Sequence, residues 1–154
     1  MTFSIRHLLF VMLVVAFGVA ALTNANLPLV AELFDVFTPL TIIILGYMAW
    51  VSVGEQRSFR IGFVTWGGIY FLATRWWHFA FYFATGQLLW LLHEPLKPNF
   101  RHLSGDPFQR AEVDWMNRFD TIAHSLFALL FGLIGGWVTV YYYRKRQRML
   151  AKEH

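Results

Sequence analysis

The amino-acid sequence predicts an all-α, polytopic membrane protein: four transmembrane helices plus an amphipathic helix in the outer loop. Three observations carry this. The 154 residues are 57% hydrophobic and only 14% charged, against about 25% charged in an average soluble domain. A soluble chain this short has too high a surface-to-volume ratio to hide so much apolar side chain. Four windows approach the roughly 20 apolar residues that a bilayer crossing needs.

The first window is about 8–23, ending in "AFGVAALT". Arg6 and His7 precede it as a signal-peptide n-region would, but the apolar core is long and no A-x-A cleavage site follows. It is therefore expected as an uncleaved span. The second, about 36–53, has Pro39 in its expected first turn, where a missing N–H costs least. The third begins at Ile61 and stays apolar to Leu92. As one helix that is about 48 Å, against a hydrocarbon core of about 30 Å. The span is therefore expected over 61–81, with 82–92 as an interfacial or tilted extension ended by the prolines of "HEPLKP". The fourth, 121–143, stops at the basic block "RKRQR".

The outer loop is expected over 93–120. Asp106, Pro107 and Gln109 read as N-cap, first helical residue and capping-box partner. Phe108, Ala111, Trp115 and Phe119 follow at three- and four-residue spacing. This is an amphipathic helix over about 107–119, lying on the membrane or running straight into the fourth span.

Basic residues set the orientation. Arg6, Arg57, Arg60, Arg144, Lys145, Arg146, Arg148 and Lys152 fall on one side, and Lys97, Arg101, Arg110 and Arg118 on the other. Seven of the nine acidic residues lie on the second side. Both termini are thus expected in the cytoplasm and the protein in a bacterial inner membrane. Tyr141, Tyr142 and Tyr143, followed by Arg144, Lys145 and Arg146, form an interfacial belt and stop-transfer signal. A basic block abutting a span does not call for nucleic acid as a partner. The bilayer is the expected partner, with the chain itself or another membrane protein beside it.

Chemistry-bearing residues are few. No cysteine is present, which excludes disulfides and thiolate sites. There is no P-loop, GxGxxG or HExxH, so no metal site and no enzyme constellation is read. Ser125 beside His124 is not a nucleophile–base pair, because adjacent helix residues diverge. What remains is a polar layer in apolar surroundings. Arg75, His78 and Tyr82 share one helical stripe, with Trp76 and Trp77 at belt depth. Asp120 and His124 start a four-residue stripe on the fourth span that continues as Ala128, Gly132 and Gly136. The small residues of that stripe suit close helix packing. Arg75, His78, Asp120 and His124 are expected to meet under the outer face, with Asp120 the expected partner of Arg75. Three readings stay open: a structural clasp, a haem or quinone site at His78 and His124, and a proton or anion pathway. The clasp, with no cofactor, makes the chain a non-catalytic structural or accessory subunit.

Two stretches carry a resemblance. "FSIRHLLFVMLVVAFGVA" (3–20) resembles the N-terminal span of many small membrane proteins of planctomycete-type bacteria. "FDTIAHSLFALLFGLIGGWVTVYYYRKR" (119–146) resembles the closing span of an uncharacterised family of small multi-pass proteins from the same bacteria. In that family Gly-His-Ser-Leu leads into "FALLFGLIGG"; Ala123 stands here in place of the first Gly. The resemblance implies a four-span architecture and no particular activity.

Overall fold

The computed structural model describes Met12 and residues 16–76, 82–98 and 106–151, and among these it is all-helical. Helix α1 covers 16–23, and α2 runs Pro28–Val51, α3 Gly54–Trp76, α4 Tyr82–Leu96 and α5 Asp106–Leu150. The turn between α1 and α2 marks one end of the bundle, called upper below, and the turn between α2 and α3 marks the lower end. Two of these helices are long and apolar enough to cross a membrane: α2, and Gln109–Leu150 within α5. Only the final part of the first expected span, and 61–76 of the third, fall within described helix.

Several boundaries depart from the sequence reading. Helix α2 starts at Pro28, a proline at the first helical turn, where its fixed φ is already helical. Pro39 is therefore inside the helix rather than in its first turn, and Asp35 loses the N–H that its carbonyl would normally accept from. Residues 107–119 run without a break into 121–143, one of the two arrangements expected for them. They form the upper part of the 45-residue α5, because nothing between Pro107 and Gly132 breaks the helix. At 1.5 Å per residue α5 is about 68 Å long, twice the thickness of a bilayer core. The expected outer loop is also largely helical, since α4 reaches Leu96 and α5 begins at Asp106.

Arg75 and Tyr82 do not share one helix face. Thr85 hydrogen-bonds the Tyr70 side chain, and a straight helix would hold these two about 22 Å apart. Helix α4 is therefore not a continuation of α3, and it climbs alongside the upper part of α5. There His93 packs on Trp115, with ring centroids 4.7 Å apart, and meets Phe119 edge-on. Lys97 pairs with Glu112.

The buried core lies at this upper end. Ala21, Leu22 and Ala25, Ala31 and Phe34 of α2, and Leu89 of α4 surround Trp115, Phe119, Ile122 and Ala123 of α5. Arg118 ties the same end together by donating to the Asn26 carbonyl at 2.9 Å.

Below the core, the main contact is between antiparallel α3 and α5, and it is made by glycine. A Cβ on Gly67 would lie 2.8 Å from the Ala128 carbonyl oxygen and 3.2 Å from Gly132 Cα. A Cβ on Gly62 would lie 2.4 Å from the Gly135 carbonyl oxygen. Phe63 fills the space over Gly132, and Phe59 that over Gly136. Ala128, Gly132 and Gly136 thus all face α3. The backbones approach this closely only because neither helix carries a side chain there.

Gly54, at φ 63°, makes the turn from α2 to α3, a left-handed conformation that suits glycine. Tyr143 lies over it. Arg144 grips Glu55 through two bonds of 2.8 and 2.6 Å. That guanidinium holds the exposed Glu55 carboxyl below the usual carboxylate range. Tyr141 and Tyr142 are exposed beside it, as are Lys145 and Arg146.

Candidate functional site

The polar residues of α3 and α5 converge where the glycine contact gives way to the aromatic core. Phe71, Thr74 and Arg75 face Asn117, Asp120, Thr121, His124 and Ser125 across a half-open cleft of about 170 Å³. Helix geometry explains the selection. Positions 117, 120, 121, 124 and 125 follow the three- and four-residue spacing of one face, and 71, 74 and 75 do the same on α3. Arg75, Asp120 and His124 thus line one space. His78 and Trp77 lie outside the described residues, and Tyr82 opens α4.

Arg75 forms its ion pair with Asp35 of α2. This partner was not expected; Asp120, the one that was, lines the same cleft. The reason lies in α2: its early start carries Asp35 into the helix and turns it toward α3. The guanidinium carbon also sits 5.7 Å above the Phe71 ring, which favours a cation electrostatically. Asp35, assigned by sequence to an outer segment, is the main residue that sequence reasoning missed. Pro28 was the available signal, because a proline at a helix start would have placed Asp35 in the second turn.

His124 Nδ1 and the Tyr70 hydroxyl are 3.0 Å apart and share a hydrogen bond. The hydroxyl donates when Nδ1 carries no proton. Tyr70 is buried and stacks on Phe131 at 5.0 Å, with Phe127 alongside. These rings close the polar layer from below. Side chains at and below the cleft are thus tied across helices, Arg75 to Asp35 of α2 and His124 to Tyr70, which Thr85 of α4 bonds in turn. Tyr70→Phe should destabilise the protein by about 0.6–1.7 kcal/mol, the scale of interhelical hydrogen bonds in membranes. Thermal unfolding in detergent checks this, and an unchanged midpoint would mean that the bond contributes nothing net.

Among the described residues no group of three or more His, Asp or Glu side chains is placed to hold a metal ion. A cleft of this size is also below the roughly 300–1,000 Å³ of typical small-molecule pockets. Together the fold and site define an all-helical protein with two candidate membrane-crossing helices and a polar cleft between α3 and α5. Comparison with family models, curated proteins and solved structures yields no match.

Proposed function

We propose that the chain is a four-span protein of a bacterial inner membrane, with both termini in the cytoplasm, serving as a non-catalytic structural or accessory subunit. The observation that carries this reading is the spacing of two ion-pair tiers. Asp35–Arg75 lies at the upper end and Glu55–Arg144 at the lower. Twenty residues of α3 separate Glu55 from Arg75, about 30 Å of helix, which is the thickness of the hydrocarbon core. Between the tiers α2 exposes Val36, Leu40, Ile43, Tyr47 and Trp50, an apolar flank suited to lipid. Arg75 then sits at the outer headgroup level rather than within the bilayer, and the cleft acts as a clasp joining α2, α3 and α5. The resemblance of 3–20 and 119–146 to small multi-pass proteins of planctomycete-type bacteria supports the same topology.

Competing readings place haem or a quinone at His78 and His124, or a proton or anion pathway through the polar layer. The mutual pairing of Arg75 with Asp35 and of His124 with Tyr70 favours the clasp, which needs no resident cofactor. A periplasm-active reporter fused after His154 should be silent, and one inserted after Phe100 should be active. The reverse pattern would overturn the topology. A Soret band in the detergent-purified protein would replace the clasp with the haem site.

A further inference from the structure

A second site lies at the opposite end of the bundle, away from the cleft. A groove of about 260 Å³ runs between α2 and α3, bounded by Gly46, Ala49 and Trp50 on one side and by Arg57, Ile61, Val64 and Thr65 on the other. Its floor is open because Gly46 lacks a side chain; even a Cβ there would only touch Val64 at 3.9 Å. From Arg57 to Thr65 is eight residues, so the groove extends about 12 Å into the apolar part of the bundle. Its walls are apolar apart from Arg57 and Thr65. Trp50 is 85% exposed at the mouth.

Arg57 is the distinctive residue. The neighbouring basic side chains are engaged: Arg60 donates to the Met48 carbonyl at 3.0 Å, and Arg144 holds Glu55. Arg57 is exposed, and among the described residues no carboxylate or carbonyl pairs with it. It therefore presents a guanidinium, with its fork of donors, above an apolar slot and beside an indole. That combination matches a phosphodiester headgroup with one acyl chain beneath it.

We propose that the α2–α3 groove binds an anionic phospholipid of the cytoplasmic leaflet, with its phosphate on Arg57 and an acyl chain along Gly46 and Val64. The inference rests on the membrane topology proposed above. Anionic rather than zwitterionic lipid is selected by the local charge. Glu55 is already neutralised by Arg144, and Lys145, Arg146 and Arg148 stand on the same end of the bundle, where each cation adds attraction for a negative surface.

The test is native mass spectrometry of the full chain in mild detergent, titrated with phosphatidylglycerol and with phosphatidylethanolamine of identical acyl chains. Wild type should prefer phosphatidylglycerol by about fivefold or more, the scale of one cation at a membrane surface. Arg57→Gln should remove that preference, and Arg146→Gln should keep it. Gly46→Leu should weaken both lipids together by filling the slot, with the melting temperature retained. Equal loss in Arg57→Gln and Arg146→Gln would mean diffuse charge attraction and overturn the site. So would full competition by inorganic phosphate, which would mean an anion site without a lipid. A protein that inserts in membranes but shows no lipid preference sinks this proposal alone. A protein that remains dispersed after detergent removal sinks the topology, and the lipid site with it.

Discussion

Gly62→Ala should unfold or disassemble the bundle, at a cost of about 3 kcal/mol or more, the upper end of overpacking effects. The new methyl would meet the Thr139 hydroxyl at 2.3 Å and the Gly135 carbonyl oxygen at 2.4 Å. A carbonyl in the middle of α5 cannot swing aside as a flexible side chain can, and the hydroxyl is itself held, donating to that carbonyl at 2.8 Å. The helices would have to separate along their main contact, and dispersion energy would be lost over its whole length. Gly68→Ala is the matched control. There the nearest atom is Ile42 Cγ2, at 3.7 Å, which is ordinary contact. Alanine also favours the helix over glycine by about 1 kcal/mol. Gly68→Ala should therefore be neutral or stabilising. Thermal unfolding and size-exclusion profiles in one detergent check both substitutions. Equal tolerance of the two would show that α3 and α5 do not touch as closely as described.

The second large effect is expected at Asp35. Asp35→Leu leaves Arg75 without its carboxylate at the edge of the apolar zone. Insertion of an unpaired arginine costs about 2.5–3.5 kcal/mol at the bilayer centre and less near its boundary, and the Arg75 side chain is 50% exposed. A loss of about 1–2 kcal/mol follows for a site at that edge. Arg75→Leu should cost less, since the stranded Asp35 carboxylate is 44% exposed and can hydrate. The double substitution should recover most of the loss, because neither charge is then left alone. Unfolding midpoints of the four proteins measure the coupling. A larger loss from Asp120→Leu than from Asp35→Leu would return Asp120 to the role of primary partner.

The apolar composition, and with it the helical class, was legible in the sequence, because burial in lipid leaves a hydropathy signal that needs no knowledge of neighbours. Two sets of residues named from the sequence are local properties of one helix. The stripe Ala128, Gly132, Gly136 and the upper polar residues Asp120 and His124 follow from the 3.6-residue period alone. Which groups those stripes meet depends on where the other helices start and how they cross. A proline two turns earlier than the expected helix start brought Asp35 to Arg75. The shift of α3 down to Gly54, about seven residues or 10 Å, left Arg75 in the last turn of its helix rather than in its interior. Helices α3 and α4 are separate elements, with Thr85 of α4 against Tyr70 of α3, so Tyr82 does not extend the Arg75 stripe of α3. Apolar stretches longer than a bilayer do not state where a helix breaks, because every residue in them suits lipid equally well. Register between helices is decided by side-chain shape at contact, by Gly62 and Gly67 against Ala128, Gly132 and Gly135, and that information exists only once the helices are packed.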